Sequence, residues 1–173
     1  MEFRPIHEAD AAALEHFFAR IPEADRTFLK ENLDDPQVVA AWTRPSTGRV
    51  IAVDAGEVVG SVAVVPLHGW SSHVGEVRLV VDPEHRGRGI GRGLARQAVI
   101  DAVDLELRKL VVEVIADQTA LVGMFRVLGF EAEALLADHV RDRSGEIRDL
   151  LVLANDVESQ FAVMATAGIT DEI

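Results

Sequence analysis

A chain of 173 residues, 49% apolar and 27% charged, has the size and make-up of one globular domain with a sizeable core, not of a disordered segment. Its formal charge of −12 argues against a general affinity for nucleic acid or anionic membrane. The absence of cysteine removes disulfides, thiolate metal sites and a cysteine nucleophile. No stretch approaches the roughly 20 apolar residues of a membrane-spanning helix. Met1-Glu2-Phe3-Arg4-Pro5 lacks a signal peptide's apolar region, so a cytoplasmic location is expected.

In chain order, Glu2 to Arg4 reads as a short strand ended by Pro5. Glu8 to Arg20 reads as a helix whose apolar face carries Leu14, Phe17, Phe18 and Ile21, and Pro22 ends it. Ala24 to Leu33 is expected as a second helix, and Asp34-Asp35-Pro36 restarts the chain into a short helical piece reaching Trp42. Arg44 to Gly48 is a turn. Arg49 to Asp54 and Glu57 to Val65 are rich in Val and Ile and are separated only by Ala55-Gly56, a hairpin signal. After a loop bearing His68, Trp70 and His73, Gly75 to Val81 reads as a strand closed by Asp82-Pro83. A helix to about Leu105 follows. Leu110 to Ile115 is an apolar run interrupted only by Glu113, as in a strand covered on both faces. Gln118 to Leu128 fits a helix stopped by Gly129. Phe130 to His139 and Ile147 to Leu153 form a hairpin across Arg141 to Gly145. The expected order is β-α-α-β-β-β-α-β-α-β-β, a single-domain α/β fold with a mixed sheet over residues 1–155. Residues 156–173 are expected as a tail, disordered or docked on a partner as a short helix.

The stretch that organises the chain is Arg86-Gly87-Arg88-Gly89-Ile90-Gly91-Arg92-Gly93, between a strand and an amphipathic helix. Glycines let the backbone approach a ligand closely and take positive φ, and the unpaired N–H groups of a first helical turn favour negative charge. Arg88, Arg92 and Arg96 follow at intervals of four, which predicts a cationic ridge beside those amides. Two phosphate loops do not fit. A P-loop needs Lys-Ser/Thr after its last glycine, and the dinucleotide fingerprint needs glycines at i, i+2 and i+5, which fails from Gly87 and from Gly89.

The pattern that fits is Arg-x-x-Gly-x-Gly at Arg86, Gly89 and Gly91, with Leu128-Gly129-Phe130 closing a later helix. It resembles the pyrophosphate loop of the GCN5-related N-acetyltransferases (GNAT), and the element order is similar to theirs from the first strand to about Leu153. The resemblance implies a partly splayed central sheet with acetyl-coenzyme A, the co-substrate, in the cleft. Leu79, Val80 and Val81 would then offer backbone to the pantetheine. The loop Arg86, Gly87, Arg88, Gly89, Ile90, Gly91 and Arg92 would take the pyrophosphate. Gln118 stands where the family commonly has asparagine, and Phe125 stands where many members place a tyrosine that protonates the leaving thiolate. The chain has no tyrosine at all.

The implied reaction is acetyl transfer from the thioester to a primary amine, on a small molecule or a protein. Two carboxylates are candidates for the base. Glu113 interrupts an apolar strand, where an ionised side chain is costly unless it has a task or a partner. Glu76 lies on the other splayed strand, and an ion pair with Arg78 would equally account for it. The departure at Phe125 keeps open a non-catalytic acyl-coenzyme-A sensor or subunit, and a nucleotide-binding module is a weaker third reading. The spacing of His68, His73 and His139 makes no metal site, and these histidines are expected to face solvent. Relatives often dimerise, and the sheet edge of the 130–153 hairpin must be covered somehow, so a homodimer is expected.

Overall fold

In the computed structural model residues 1–26, 30, 35–43 and 48–168 are described, residues 24 and 36 by their backbone alone. The strands are β1 (Glu2–Pro5), β2 (Arg49–Asp54), β3 (Glu57–Pro66), β4 (Val74–Val81), β5 (Lys109–Ile115), β6 (Glu131–Arg141) and β7 (Ile147–Asp156). The helices are α1 (Ala11–Arg20), α2 (Glu23–Arg26), α3 (Pro36–Trp42), α4 (Ile90–Asp104), α5 (Thr119–Val127) and α6 (Val157–Thr166). The strands form one mixed sheet in the order β1-β2-β3-β4-β5-β7-β6.

Local chemistry accounts for many of the boundaries. Ala55 and Gly56 join β2 to β3 with φ of 49° and 87°, the two positive values of a tight turn whose twist matches its strands. Asp35 caps α3 by accepting from the Gln37 amide at 2.9 Å, with Pro36 in the first turn, where its missing N–H costs nothing. Asp156 caps α6 in the same way through the Ser159 amide.

Two cores hold the sheet. On one face α4, α5 and α6 cover it, with Leu94, Ala98, Phe125, Phe130 and Leu153 fully buried or nearly so. On the other face Leu14, Phe17 and Phe18 of α1 pack with Val39 and Trp42 of α3 on Ile51. Each fully buried side chain of this size contributes about 1.5–3 kcal/mol.

Three expectations need adjusting. The second helix, expected over 24–33, is described only at Glu23–Arg26; residues 27–29 and 31–34 of that reading, and 44–47 of the expected turn, lie outside the described residues. The short helical piece expected to reach Trp42 is α3, and the element order gains a C-terminal helix. Within the expected tail, Val157 and Met164 of α6 are 1% and 2% exposed in this chain's own core, and α6 lies against α4. The tail's composition hid this, because only two of its apolar residues are needed to seat the helix.

The fork that matters for function lies between β4 and β5. They pair in parallel only at Val74–Lys109, Gly75–Leu110 and Glu76–Val111. Beyond Glu76, β4 keeps its ladder to β3 as far as Val81, and β5 keeps its ladder to β7 as far as Ile115. Each strand therefore stays satisfied on its outer edge while the inner edges separate.

α4 sits close to the sheet through small residues. A Cβ at Gly93 would lie 2.3 Å from the ring of Phe3, so this last glycine of the loop is a packing contact with β1. Further along α4, Asp101 accepts from Gln97 Nε2 at 3.2 Å, while its Oδ2 is buried without a hydrogen-bond partner among the described residues. Burial, with repulsion from Asp104, raises this carboxyl from 3.8 to about 6. A raised folded-state value means the native protein holds the proton more tightly than the unfolded chain, so the stability it brings is lost as pH rises from about 4 through 6. Asp101→Asn is expected to be more stable than wild type at pH 7.5 by up to about 3 kcal/mol, the gap narrowing to about 1 kcal/mol at pH 4.5. Thermal denaturation at the two pH values measures it. A gap independent of pH would show that the carboxyl is ionised throughout.

Candidate active site

The glycine loop lies at the open end of the fork. Gly87 and Gly89 have φ of 75° and 83°, and a Cβ on either would meet nothing within 4 Å among the described residues. They are glycine because of backbone conformation and not because neighbours crowd them. Gly89 is the N-cap of α4, and its carbonyl accepts from the Gly93 amide at 3.0 Å. The amides of Ile90, Gly91 and Arg92 precede that first bond of the helical ladder and are available to an anion. Gly91 differs from the other two. It has no positive φ, and a Cβ there would stand 3.1 Å from Met124 Sδ of α5.

The arginines are arranged differently from the expected ridge. α4 begins at Ile90, so Arg88 lies ahead of it and pairs with Asp54 of β2 at 2.8 Å. Arg86 pairs with Asp25 at 2.7 Å, and Arg92 is exposed on the first turn. Arg86 and Arg88 are each about half exposed, so these pairs exchange readily for a polyanion. The loop is tethered by Asp82, which is 2% exposed. Asp82 accepts from Arg20 Nε at 2.9 Å and from the Glu84 amide at 3.0 Å. Burial pushes its carboxyl up, but the hydrogen bonds from Arg20 and Glu84 outweigh this and hold it below the usual range. Arg20 also donates to the Val58 carbonyl, so α1, β3 and the loop are fastened at one point.

Leu79 and Val81 of β4 turn toward the α4 core, Val80 turns toward the α1 core, and all three lie on the segment that no longer pairs with β5. Their inner backbone edge is exposed to the fork. Gln118 is the half-buried N-cap of α5, and its side chain makes no capping bond. Phe125 is 1% exposed, edge-on to Phe130 with ring centroids 5.1 Å apart.

The fork brings both candidate bases together. Glu76 of β4 and Glu113 of β5 lie on the same face of the sheet, the face opposite α4, because Glu76 registers with Val111 and side chains alternate. Lys30 joins them: its Nζ lies 2.5 Å from Glu76 Oε1 and 2.8 Å from Glu113 Oε2. Arg78 holds the other oxygen of Glu76 at 3.0 Å. Burial raises the Glu76 carboxyl, yet Lys30 and Arg78 together bring it below the ordinary glutamate value. Burial lowers the Lys30 ammonium, yet Glu113 and Glu76 carry it above the ordinary lysine value. Glu113 was expected to be embedded among apolar neighbours. Its side chain is instead 33% exposed, two residues beyond the last pair that joins β4 to β5. Lys30 itself gave no signal in the sequence beyond its rarity, since Lys30 and Lys109 are the chain's two lysines. His68, His73 and His139 are exposed, and no cluster that could hold a metal ion occurs among the described residues.

An open strand pair leading from a ring of free amides to two carboxylates suits a long anionic ligand with its reactive end beside an amine. This is the architecture of an acyl-carrier-dependent transferase. Residues 11–130 match the model of the acetyltransferase (GNAT) family, and the chain belongs to that family. It is 39% identical over 93 residues to mycothiol acetyltransferase of Pseudarthrobacter chlorophenolicus. That match covers 51% of this chain and 28% of the relative, so this chain matches under a third of that protein's length. Among solved structures it is similar to the ribosomal-protein-alanine N-acetyltransferase of Brucella melitensis, with a TM-score of 0.78, 24% identity and coverage of 90% and 99% of the two chains. It is also similar to YncA of Salmonella typhimurium, a putative acetyltransferase solved with acetyl-CoA, with a TM-score of 0.77, 18% identity and coverage of 90% and 93%.

Proposed function

We propose that this protein transfers the acetyl group of acetyl-coenzyme A to a primary amine by direct attack. The observation that carries the reading is the pair Glu76 and Glu113, which face each other across the fork and already hold a primary ammonium, that of Lys30. Family membership and a neighbour solved with acetyl-CoA support the donor. The acceptor is a small molecule or a protein amine; the neighbour named for a ribosomal-protein alanine is an example of the second kind.

In this reading the amides of Gly87 to Arg92, with Arg86 and Arg88, bind the pyrophosphate. The freed edge of Leu79, Val80 and Val81 binds the pantetheine, with Gln118 at its far side and Phe125, 1% exposed, backing that side from within the core. Glu76, kept ionised by two cations, anchors the incoming ammonium. Glu113, more exposed and with room for water, takes its proton directly or through one water. The neutral amine attacks the thioester carbonyl, a backbone N–H near Val80 stabilises the oxyanion, and the coenzyme leaves as thiolate. The edge strand β6, with Leu135 60% exposed, supports a homodimer.

Coenzyme thiol release with a panel of primary amines tests the reading, and release that needs both the amine and the protein is the expected result. Binding of acetyl-coenzyme A without thiol release from any amine would favour the non-catalytic sensor, the alternative raised by Phe125. A thiol with a pKa of about 8.5–10 leaves unaided far more readily than an alkoxide, so the missing acid costs little. Phe125→Tyr should therefore leave kcat/KM unchanged or modestly raised in the same assay. A large gain would mean that thiolate protonation, not amine deprotonation, limits the wild-type rate.

A further inference from the structure

We propose that Lys30 is itself acetylated by its own chain, at the amine position of the fork; the inference rests on the acetyl transfer argued above. Its Nζ occupies the place where an acceptor amine would sit, within hydrogen-bonding distance of both candidate bases. The side chain is 42% exposed, so it is open to solvent while its ammonium is held in the fork.

The residue type is part of the argument. The chain carries two lysines against fifteen arginines. If Lys30 served only to neutralise two carboxylates, a guanidinium would do so with more donors and better geometry. Arginine is never deprotonated in a protein, whereas a lysine amine beside a base can become a nucleophile. Lys109 supplies an internal reference. It lies at the closed end of the fork, opposite Val74, and pairs with Glu133 of β6.

The step balances without further reagents. The ammonium of Lys30 gives one proton to Glu113 or Glu76, and its lone pair attacks the thioester carbonyl of acetyl-coenzyme A. The N–C bond forms, the C–S bond breaks, and the electron pair leaves with the coenzyme thiolate. The amide nitrogen sheds its second proton to solvent. The product is N-acetyl-lysine, which has no charge and so no longer binds the two carboxylates.

The test is incubation of the full chain with acetyl-coenzyme A and no added amine, followed by intact mass and peptide mapping. One acetyl group per chain is expected, on Lys30, at least about a hundredfold faster than on Lys109, the low end for a positioned proton transfer. The rate per chain should not change on dilution. Lys30→Arg should abolish the modification, and Glu76→Gln with Glu113→Gln should slow it to the rate at Lys109. Equal modification of the two lysines would overturn the proposal as non-specific chemistry, and a rate falling with dilution would overturn its same-chain form. Lys30 left unmodified while the amine panel gives thiol release would overturn it and leave the proposed function standing. The absence of both would overturn the two together.

Discussion

Glu113→Gln is expected to lower kcat/KM for an amine acceptor by about ten- to a thousandfold, overlapping the roughly 10²–10⁴-fold range for loss of a general base, with affinity for acetyl-coenzyme A hardly changed. Glutamine keeps the shape of the side chain and can still accept a hydrogen bond from an ammonium, but it takes no proton at neutral pH. Glu76→Gln should act differently. Its carboxylate lies between Lys30 and Arg78, and its low proton affinity makes it a poor base but a good anchor, so the loss should fall mainly on KM. Activity of the wild type should rise with pH, because the fraction of amine already neutral rises with it. Steady-state kinetics of both variants across pH decide the assignment. Full activity in Glu113→Gln with loss of kcat in Glu76→Gln would move the base to Glu76. Wild-type rates in both would remove the carboxylates from the reaction.

Gly89→Val is expected to abolish binding of acetyl-coenzyme A. The position has φ of 83° and forms the N-cap of α4, and a β-branched residue is disfavoured there by roughly 1–2 kcal/mol or more. Relief of that strain rotates the amides of the first turn away from the position an anion would occupy, and the added Cβ stands in open space on the side from which a phosphate approaches. Because no neighbour is crowded, the fold should survive. Calorimetric titration with acetyl-coenzyme A, beside a thermal melt, reads both quantities. A variant that binds like wild type would remove the loop from the site. Gly91→Val is a less clean probe, since its side chain would press on Met124 and disturb the contact between α4 and α5 as well as the ligand.

Features under short-range control were legible in the residues alone. The positive φ values of Gly87 and Gly89, the tight turn at Ala55-Gly56, the apolar face of α1 and the alternation of the strands follow from steric preference and spacing within a few residues. They were readable without a partner in view. Glu113 was legible as a candidate because a charge in an apolar strand demands a reason, and Glu76 through the family resemblance that puts it on the other splayed strand. Only the tertiary structure decided what that reason is. The ammonium between them comes from Lys30, in a segment whose helical spacing carries no sign of the strands it meets. Likewise Asp82 is matched by Arg20 of α1, Arg88 is taken by Asp54, and α6 is seated on α4. Ion pairs and helix docking depend on distances that the chain topology sets between residues far apart in sequence, and no local periodicity encodes them. The fork in the sheet belongs to the same class: β4 and β5 can separate because β3 and β7 satisfy their outer edges, which is a property of the assembled sheet and of neither strand alone.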